Sequence, residues 1–222
     1  MKTALVIGAS RGIGLEFVQQ LLGSSWAVYA TARKEQDVNA LNNLKAMGIQ
    51  LDVTNPSSLA GLGWHLDGVK LDLAIYVAGI YGPNSGAREV PSVAEFDEFM
   101  HTNVLGAMQL IPLIAPMVEE SRGKFVFISS LMGSTAETQS SFGWVYRTSK
   151  AALNMAVKSA SFDYPKAVMI PINPGWVQTQ MGGASAPTTT KESVSKMLTV
   201  IDHLSIADSG SFKSYDQRQM HW

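Results

Sequence analysis

Cysteine is absent from all 222 residues, so no disulfide, thiolate nucleophile or thiolate zinc site is available. Histidine is scarce as well. His65, His101, His203 and His221 are scattered without H-x-x-x-H spacing, which argues against a histidine-based metal centre. Charge of either sign is sparse: only 16% of residues are charged and the net charge is −1, leaving no electrostatic footprint for nucleic acid or an anionic membrane surface. Long hydrophobic runs are missing too. The apolar opening from Met1 to Ile7 is broken at Arg11, too short for a secretory signal. The stretch Met108–Val118 contains Pro112 and Pro116 and falls short of a membrane span. These absences predict a soluble, cytoplasmic protein with no metal, nucleic-acid or membrane partner. What is present is apolar: 46% hydrophobic residues rule out a disordered chain, and the length suits one domain with a sizeable core.

Short apolar runs alternate with helix-like segments from end to end. The strand candidates are Thr3–Ile7, Ala27–Thr31, Ile49–Leu51, Leu71–Val77, Lys124–Ile128, Ala167–Ile172 and Ser211–Lys213. Between them, Ile13, Phe17, Leu21 and Leu22 share a helical face, Asn55-Pro56 suits a helix start, and Ser92–Glu95 and Thr189–Glu192 read as capping boxes. Strands such as Leu73–Val77 are apolar on both sides, as burial under two helix layers demands. The pattern predicts an α/β fold: a Rossmann-type, doubly wound, parallel sheet of seven strands with helices on both faces, in a single domain over residues 1–222. One segment, Gly182–Thr190, is rich in small residues and reads as a loose, mobile loop.

Directly after the first strand comes Gly8-Ala9-Ser10-Arg11-Gly12-Ile13-Gly14, opening the first helix. Glycines in that place permit a tight turn and close approach of a pyrophosphate to a helix N-terminus. The second strand ends at Thr31-Ala32-Arg33-Lys34, where an NAD site carries an acid for the ribose hydroxyls. Arg33, with Arg11 in the glycine turn, suits a 2′-phosphate instead, because guanidinium presents forked donors; this favours NADP over NAD.

Tyr146 and Lys150 stand one turn apart at the start of an apolar-periodic helix, Ala151–Phe162. A phenol titrates near pH ~10 and needs a nearby cation to act as an acid–base group at neutral pH, which Lys150 can supply. Taken together, these motifs resemble the short-chain dehydrogenase/reductase family over nearly the whole chain. The glycine turn matches at 8–14, Leu51-Asp52-Val53 at the adenine contact, and Tyr76-Val77-Ala78-Gly79 at the N-N-A-G segment, with both asparagines replaced. Asn103, Ser130 at the end of the fifth strand, and Pro174-Gly175-Trp176-Val177-Gln178-Thr179 also fall in place. The short length and the ending Ser209 to Trp222 resemble the C-factor and sniffer-type carbonyl reductases within that family.

The resemblance implies hydride transfer between nicotinamide and a small carbonyl or alcohol substrate. Tyr146 is then the general acid, Lys150 lowers its pKa and holds the nicotinamide ribose, Ser130 bonds the carbonyl oxygen, and Asn103 holds a water linking Lys150 to solvent. Strand alternation points Ser129 away from Ser130, and the S-x-x-G spacing to Gly133 favours Ser130. The implied cofactor contacts are Gly8, Ser10, Arg11, Ile13, Gly14, Arg33, Asp52, Val53, Ala78, Gly79, Tyr146, Lys150, Pro174, Gly175, Val177 and Thr179. Around the presumed nicotinamide, Tyr81, Leu131, Met132, Phe142, Trp144, Trp176 and Met181 suit an apolar or aromatic substrate. Relatives use helices near 104–121 and 151–162 to form dimers, so a homodimer or homotetramer is implied, with a monomer left open. Two other readings are weighed: a cofactor-binding regulatory or signalling protein with little turnover, and a nucleotide-sugar epimerase, set aside because too little chain follows Lys150.

Overall fold

The computed structural model describes residues 1–82 and 85–222. Seven strands form one sheet: β1 (Thr3–Ile7), β2 (Ala27–Ala32), β3 (Met47–Gln50), β4 (Leu73–Tyr76), β5 (Lys124–Ile128), β6 (Val168–Asn173) and β7 (Lys213–Ser214). Their order is β3-β2-β1-β4-β5-β6-β7, and every neighbouring pair runs parallel. The order reverses between β1 and β4, which opens a crevice at the carboxyl ends of the strands. The seven-stranded, doubly wound sheet is the one the alternation predicts, with strand ends shifted by a few residues.

Parallel strands need helical crossovers, and three of the helices start on a side-chain cap. They are α1 (Gly12–Gly23), α2 (Glu35–Asn43), α3 (Pro56–His65), α4 (Val93–Met100), α5 (Gly106–Glu120), α6 (Trp144–Ala160) and α7 (Thr190–His203). Asn55 accepts from the Ser57 amide at 3.0 Å, Ser92 from Glu95 at 3.1 Å and Thr189 from Glu192 at 3.1 Å. The glutamate half of the last box is not used, because Glu192 pairs with Lys196 instead.

Alternate strand residues feed two cores. Val6, Ala30, Ile75, Val126 and Ile170 pack on Phe17 and Leu21 of α1 and Met197 and Ile201 of α7. On the other face, Leu5, Ile7, Ala74, Phe125 and Phe127 meet Leu62 of α3, Leu110 and Ile114 of α5, and Leu153 of α6. Contrary to expectation, Pro112 and Pro116 do not interrupt the run that contains them. They sit four apart on the exposed face, where the carbonyls they leave without a donor meet water. Helix thus continues from Val93 to Glu120, long and apolar enough by length and composition to cross a membrane, yet half of its most apolar stretch is buried inside the protein.

Candidate active site

At the end of β5 the chain delivers two serines in opposite directions. Ser129 is buried and donates to Asn154 Oδ1 at 2.6 Å. Ser130 is half-buried and its hydroxyl accepts from the Met132 amide at 3.1 Å, opening a short 3₁₀ turn over Leu131–Gly133. It also stands close enough to the phenol of Tyr146, in the first turn of α6, to favour its ionised form. Tyr146 packs edge-on to Tyr81, ring centroids 4.8 Å apart, and against Phe99 at 6.5 Å. Burial pushes the phenol up to about 12; the Ser130 hydroxyl pulls the other way and Tyr81 adds to the rise.

Lys150 lies one turn further along α6. Its ammonium donates to the Ile128 carbonyl at 2.9 Å and sits 5.7 Å from the centroid of the Tyr146 ring. Burial pushes it down to about 8. The expected lowering of the phenol by Lys150 is therefore not what this geometry delivers. The lysine is aimed at a backbone carbonyl and a ring face, so burial dominates both groups.

Asn103 is fully buried in a π-helical turn, His101–Leu105, between α4 and α5. It accepts from the Ile80 amide at 2.8 Å and donates to the Ile80 carbonyl at 3.1 Å and to Ser149 Oγ at 2.9 Å. Both N–H donors are thus engaged by protein, which leaves an oxygen of this residue as the group to accept from the water it is expected to hold. Gly79 lies beside it: a Cβ there would stand 3.2 Å from Asn103 Oδ1 and 3.5 Å from Lys150 Nζ. Folding brings Gly79, Asn103 and Lys150 together.

The glycine turn closes the other side of the crevice. The Gly8 amide donates to Thr31 Oγ1 at 3.1 Å and the Ala9 amide to the Thr31 carbonyl at 2.8 Å. Gly8 has φ +88, and a Cβ on it would meet the Ala78 amide nitrogen at 2.8 Å; one on Gly14 would meet the Gly8 carbonyl oxygen at 2.1 Å. No side chain caps α1 and no acid stands in its first turn, so its leading N–H groups and positive dipole end are left for an anion. The turn accordingly fits a dinucleotide pyrophosphate.

The remaining predicted contacts fall around this turn. Ser10 is exposed and Ile13 leans on the core. Arg11, expected to flank the same 2′-phosphate as Arg33, reaches across to Gln180 and hydrogen-bonds it. Arg33 is exposed at the end of β2; the Thr54 amide and hydroxyl, with a smaller part from the charge of Arg33, hold the Asp52 carboxyl below its ordinary range. Val53 is buried and packs beside Gly106, whose Cβ would stand 3.0 Å from that of Val53. Asn173 Oδ1 accepts from both Leu131 and Gly175 amides, at 3.0 and 3.2 Å, and so joins the serine turn to Pro174-Gly175. Val177 is buried, and Thr179 accepts from the Gly182 amide at 2.9 Å.

Gly182–Thr190 is not the loose loop its composition suggests. Gln178 donates its amide to Thr188 at 2.8 Å and its side chain to Ala186 at 2.9 Å, and Trp176 Nε1 donates to Gly182 at 2.8 Å. Ala186 and Thr188 are buried. Small residues let the backbone come close enough for these bonds, which outweigh the lack of apolar side chains. Between this segment and α1 runs a cleft of about 550 Å³, lined in part by Gly12, Thr179 and Gln180. The expected apolar residues divide in two: Tyr81, Met132 and Trp144 pack with Phe99 and Tyr146, whereas Leu131, Phe142, Trp176 and Met181 keep 41 to 59% of their surface exposed.

The model of the short chain dehydrogenase family matches residues 2–190. The chain belongs to this family. C-signal of Myxococcus xanthus is 36% identical over 155 residues, covering 68% of this chain and 93% of the relative. Among solved structures, the carbonyl reductase Sniffer of D. melanogaster superposes with a TM-score of 0.92 at 27% identity, each chain fully covered. The NADPH-bound carbonyl reductase from chicken fatty liver gives 0.88 at 33% identity, covering 100% of this chain and 99% of that one.

Four residues of this short-chain dehydrogenase that hold the site together escaped sequence reasoning: Thr31, Ser149, Asn154 and Asn173. Asn-Pro at 173–174 is a turn signal, and an asparagine on the apolar face of α6 is out of place; either could have been flagged. Thr31 and Ser149 carry no such mark.

Proposed function

We propose that the chain is an NADP-dependent carbonyl reductase for small apolar or aromatic carbonyl compounds. The observation that carries this reading is the buried phenol of Tyr146, with the Lys150 ammonium 5.7 Å from its ring and the Ser130 turn packed on the same helix. When bound, the nicotinamide cofactor supplies or takes up the hydride. Tyr146 donates a proton to the carbonyl oxygen, and a phenol pushed up to about 12 still holds that proton at neutral pH. Ser130 donates a hydrogen bond to the same oxygen, where charge develops. Lys150 would hold the nicotinamide ribose, and Asn103 braces the backbone at Ile80, beyond β4, and the helix at Ser149.

The glycine turn with Ser10, Arg11 and Ile13 would hold the pyrophosphate, and Arg33 the 2′-phosphate. Asp52 and the backbone of Val53 would meet the adenine, and Ala78, Gly79, Pro174, Gly175, Val177 and Thr179 would line the nicotinamide half. NADP is supported by Arg33 and by the NADPH held in the chicken reductase. Leu105 and Met108 on the long helix, Met155 on α6 and Phe162 just after it are exposed apolar residues, and they support self-association.

A panel of aliphatic and aromatic aldehydes and ketones, with NADPH and then NADH, tests the reading by absorbance loss. Tyr146→Phe is expected to lower turnover by about 10²–10⁴-fold with NADPH binding retained. The similarity to C-signal keeps a second reading in view, a cofactor-binding signalling protein with little turnover. NADPH binding without reduction of any compound in the panel would favour it.

A further inference from the structure

The turn that carries Ser130 is anchored on the helix that carries Tyr146. We propose that Asn154 is a positioning residue for the reaction, its amide clamping both ends of the Ser130 turn onto α6 and so setting where Ser130 stands against the phenol. This rests on the reading of Tyr146 as the general acid. Asn154 Oδ1 accepts from Ser129, the residue just before Ser130, at 2.6 Å, and its Nδ2 donates to the Gly133 carbonyl, three residues after it, at 3.1 Å. Asn154 and Ser129 each keep only 2% of their surface exposed.

The turn also lies directly on the helix. A Cβ on Gly133 would stand 2.9 Å from the carbonyl carbon and Cβ of Lys150 and 3.1 Å from Asn154 Nδ2. Tyr146, Lys150 and Asn154 follow at successive four-residue steps, so one stripe of α6 bears the phenol, the ammonium and the clamp. A buried amide whose bonds run to both flanks of one turn removes that turn's freedom to slide along the helix. That freedom is what would change the placing of Ser130 against Tyr146.

Asn154→Ala is the test, with kinetics in both directions. The expected result is a fall of about tenfold in kcat for reduction, less than the 10²–10³ lost when such a donor is removed outright. Substrate KM should change little. In alcohol oxidation, which needs the phenolate, the acid limb of the pH profile should move up by about half a unit, because the Ser130 hydroxyl that favours phenolate is less firmly placed. Ser129→Ala, which removes one grip only, should move the limb the same way by less, and it carries the test if Asn154→Ala does not fold. Leu153→Val destabilises the same turn of α6 without touching the clamp and should leave the limb where it is. An unmoved limb in both clamp variants, or an equal shift in Leu153→Val, overturns the proposal. Full activity in Tyr146→Phe would instead sink the reading of the acid, and so tells the two failures apart.

Discussion

Two turns leave the carboxyl ends of β1 and β5, on either side of β4 in the same sheet, and are built in opposite ways. The glycine turn after β1 works by lacking side chains: Gly8 and Gly14 admit backbone where a Cβ would collide, and Ser10 and Arg11 remain exposed. The serine turn after β5 works by burying them, with Ser129, Asn154, Lys150 and Tyr146 all nearly closed to solvent. Holding a charged cofactor needs only oriented N–H groups at a wet helix end. Acid–base chemistry needs groups moved from their ordinary pKa, and that requires burial. The first region is therefore inexpensive in stability and the second is not.

Lys150→Met should separate those costs most sharply. Turnover is expected to vanish, while Tm at pH 7 stays equal to or above that of the parent. The lysine is buried and pushed from 10.5 to about 8. Keeping it charged below pH 8 then costs about 3 kcal/mol, against about 1–3 kcal/mol for the Ile128 carbonyl left without its donor. A pKa depressed on folding means that the penalty is complete below 8 and gone above 10.5, so any advantage of the variant should fade as pH rises between them. Calorimetry from pH 7 to 10 checks this, and a Tm several degrees below the parent at pH 7 would refute it.

Gly14→Ala attacks the other turn. With its Cβ only 2.1 Å from the Gly8 carbonyl oxygen, the turn must shift. Overpacking of this kind costs about 1–3 kcal/mol, and because the cofactor needs the turn unshifted, NADPH affinity should weaken by roughly 5- to 150-fold. Fluorescence titration reads it, and the pH dependence set by the buried pair should stay unchanged.

Arg33→Asp should have a smaller effect, confined to cofactor choice. The new carboxylate would repel a 2′-phosphate of roughly −1.5 to −2 charge and could accept from a free ribose hydroxyl. The ratio of kcat/KM for NADPH over NADH is expected to fall; a constant ratio would show that Arg33 does not face that phosphate.

The mildest difference concerns Gly182–Thr190, whose composition and bonding disagree. If its hydrogen bonds hold it as a preformed wall, the amides of Gln178, Gly182 and Gly183 should exchange about tenfold or more slower than open chain, with or without NADPH. Open-chain rates without cofactor would restore the mobile loop.

Much of this could be read without coordinates. The seven strands, the capped starts of α3 and α7, the glycine turn and the Tyr146–Lys150 pair are set by signals acting over a few residues: alternation, capping, and the four-residue step of a helix. Tertiary packing alone decided the rest. It aimed Lys150 at Ile128, raised the Tyr146 phenol instead of lowering it, tied Arg11 to Gln180, and made Asn154 and Asn173 the ties between loops. Each of these depends on partners brought together from elsewhere in the chain, or on exclusion of water by layers that meet only in the folded protein. Local sequence preference carries no information about either.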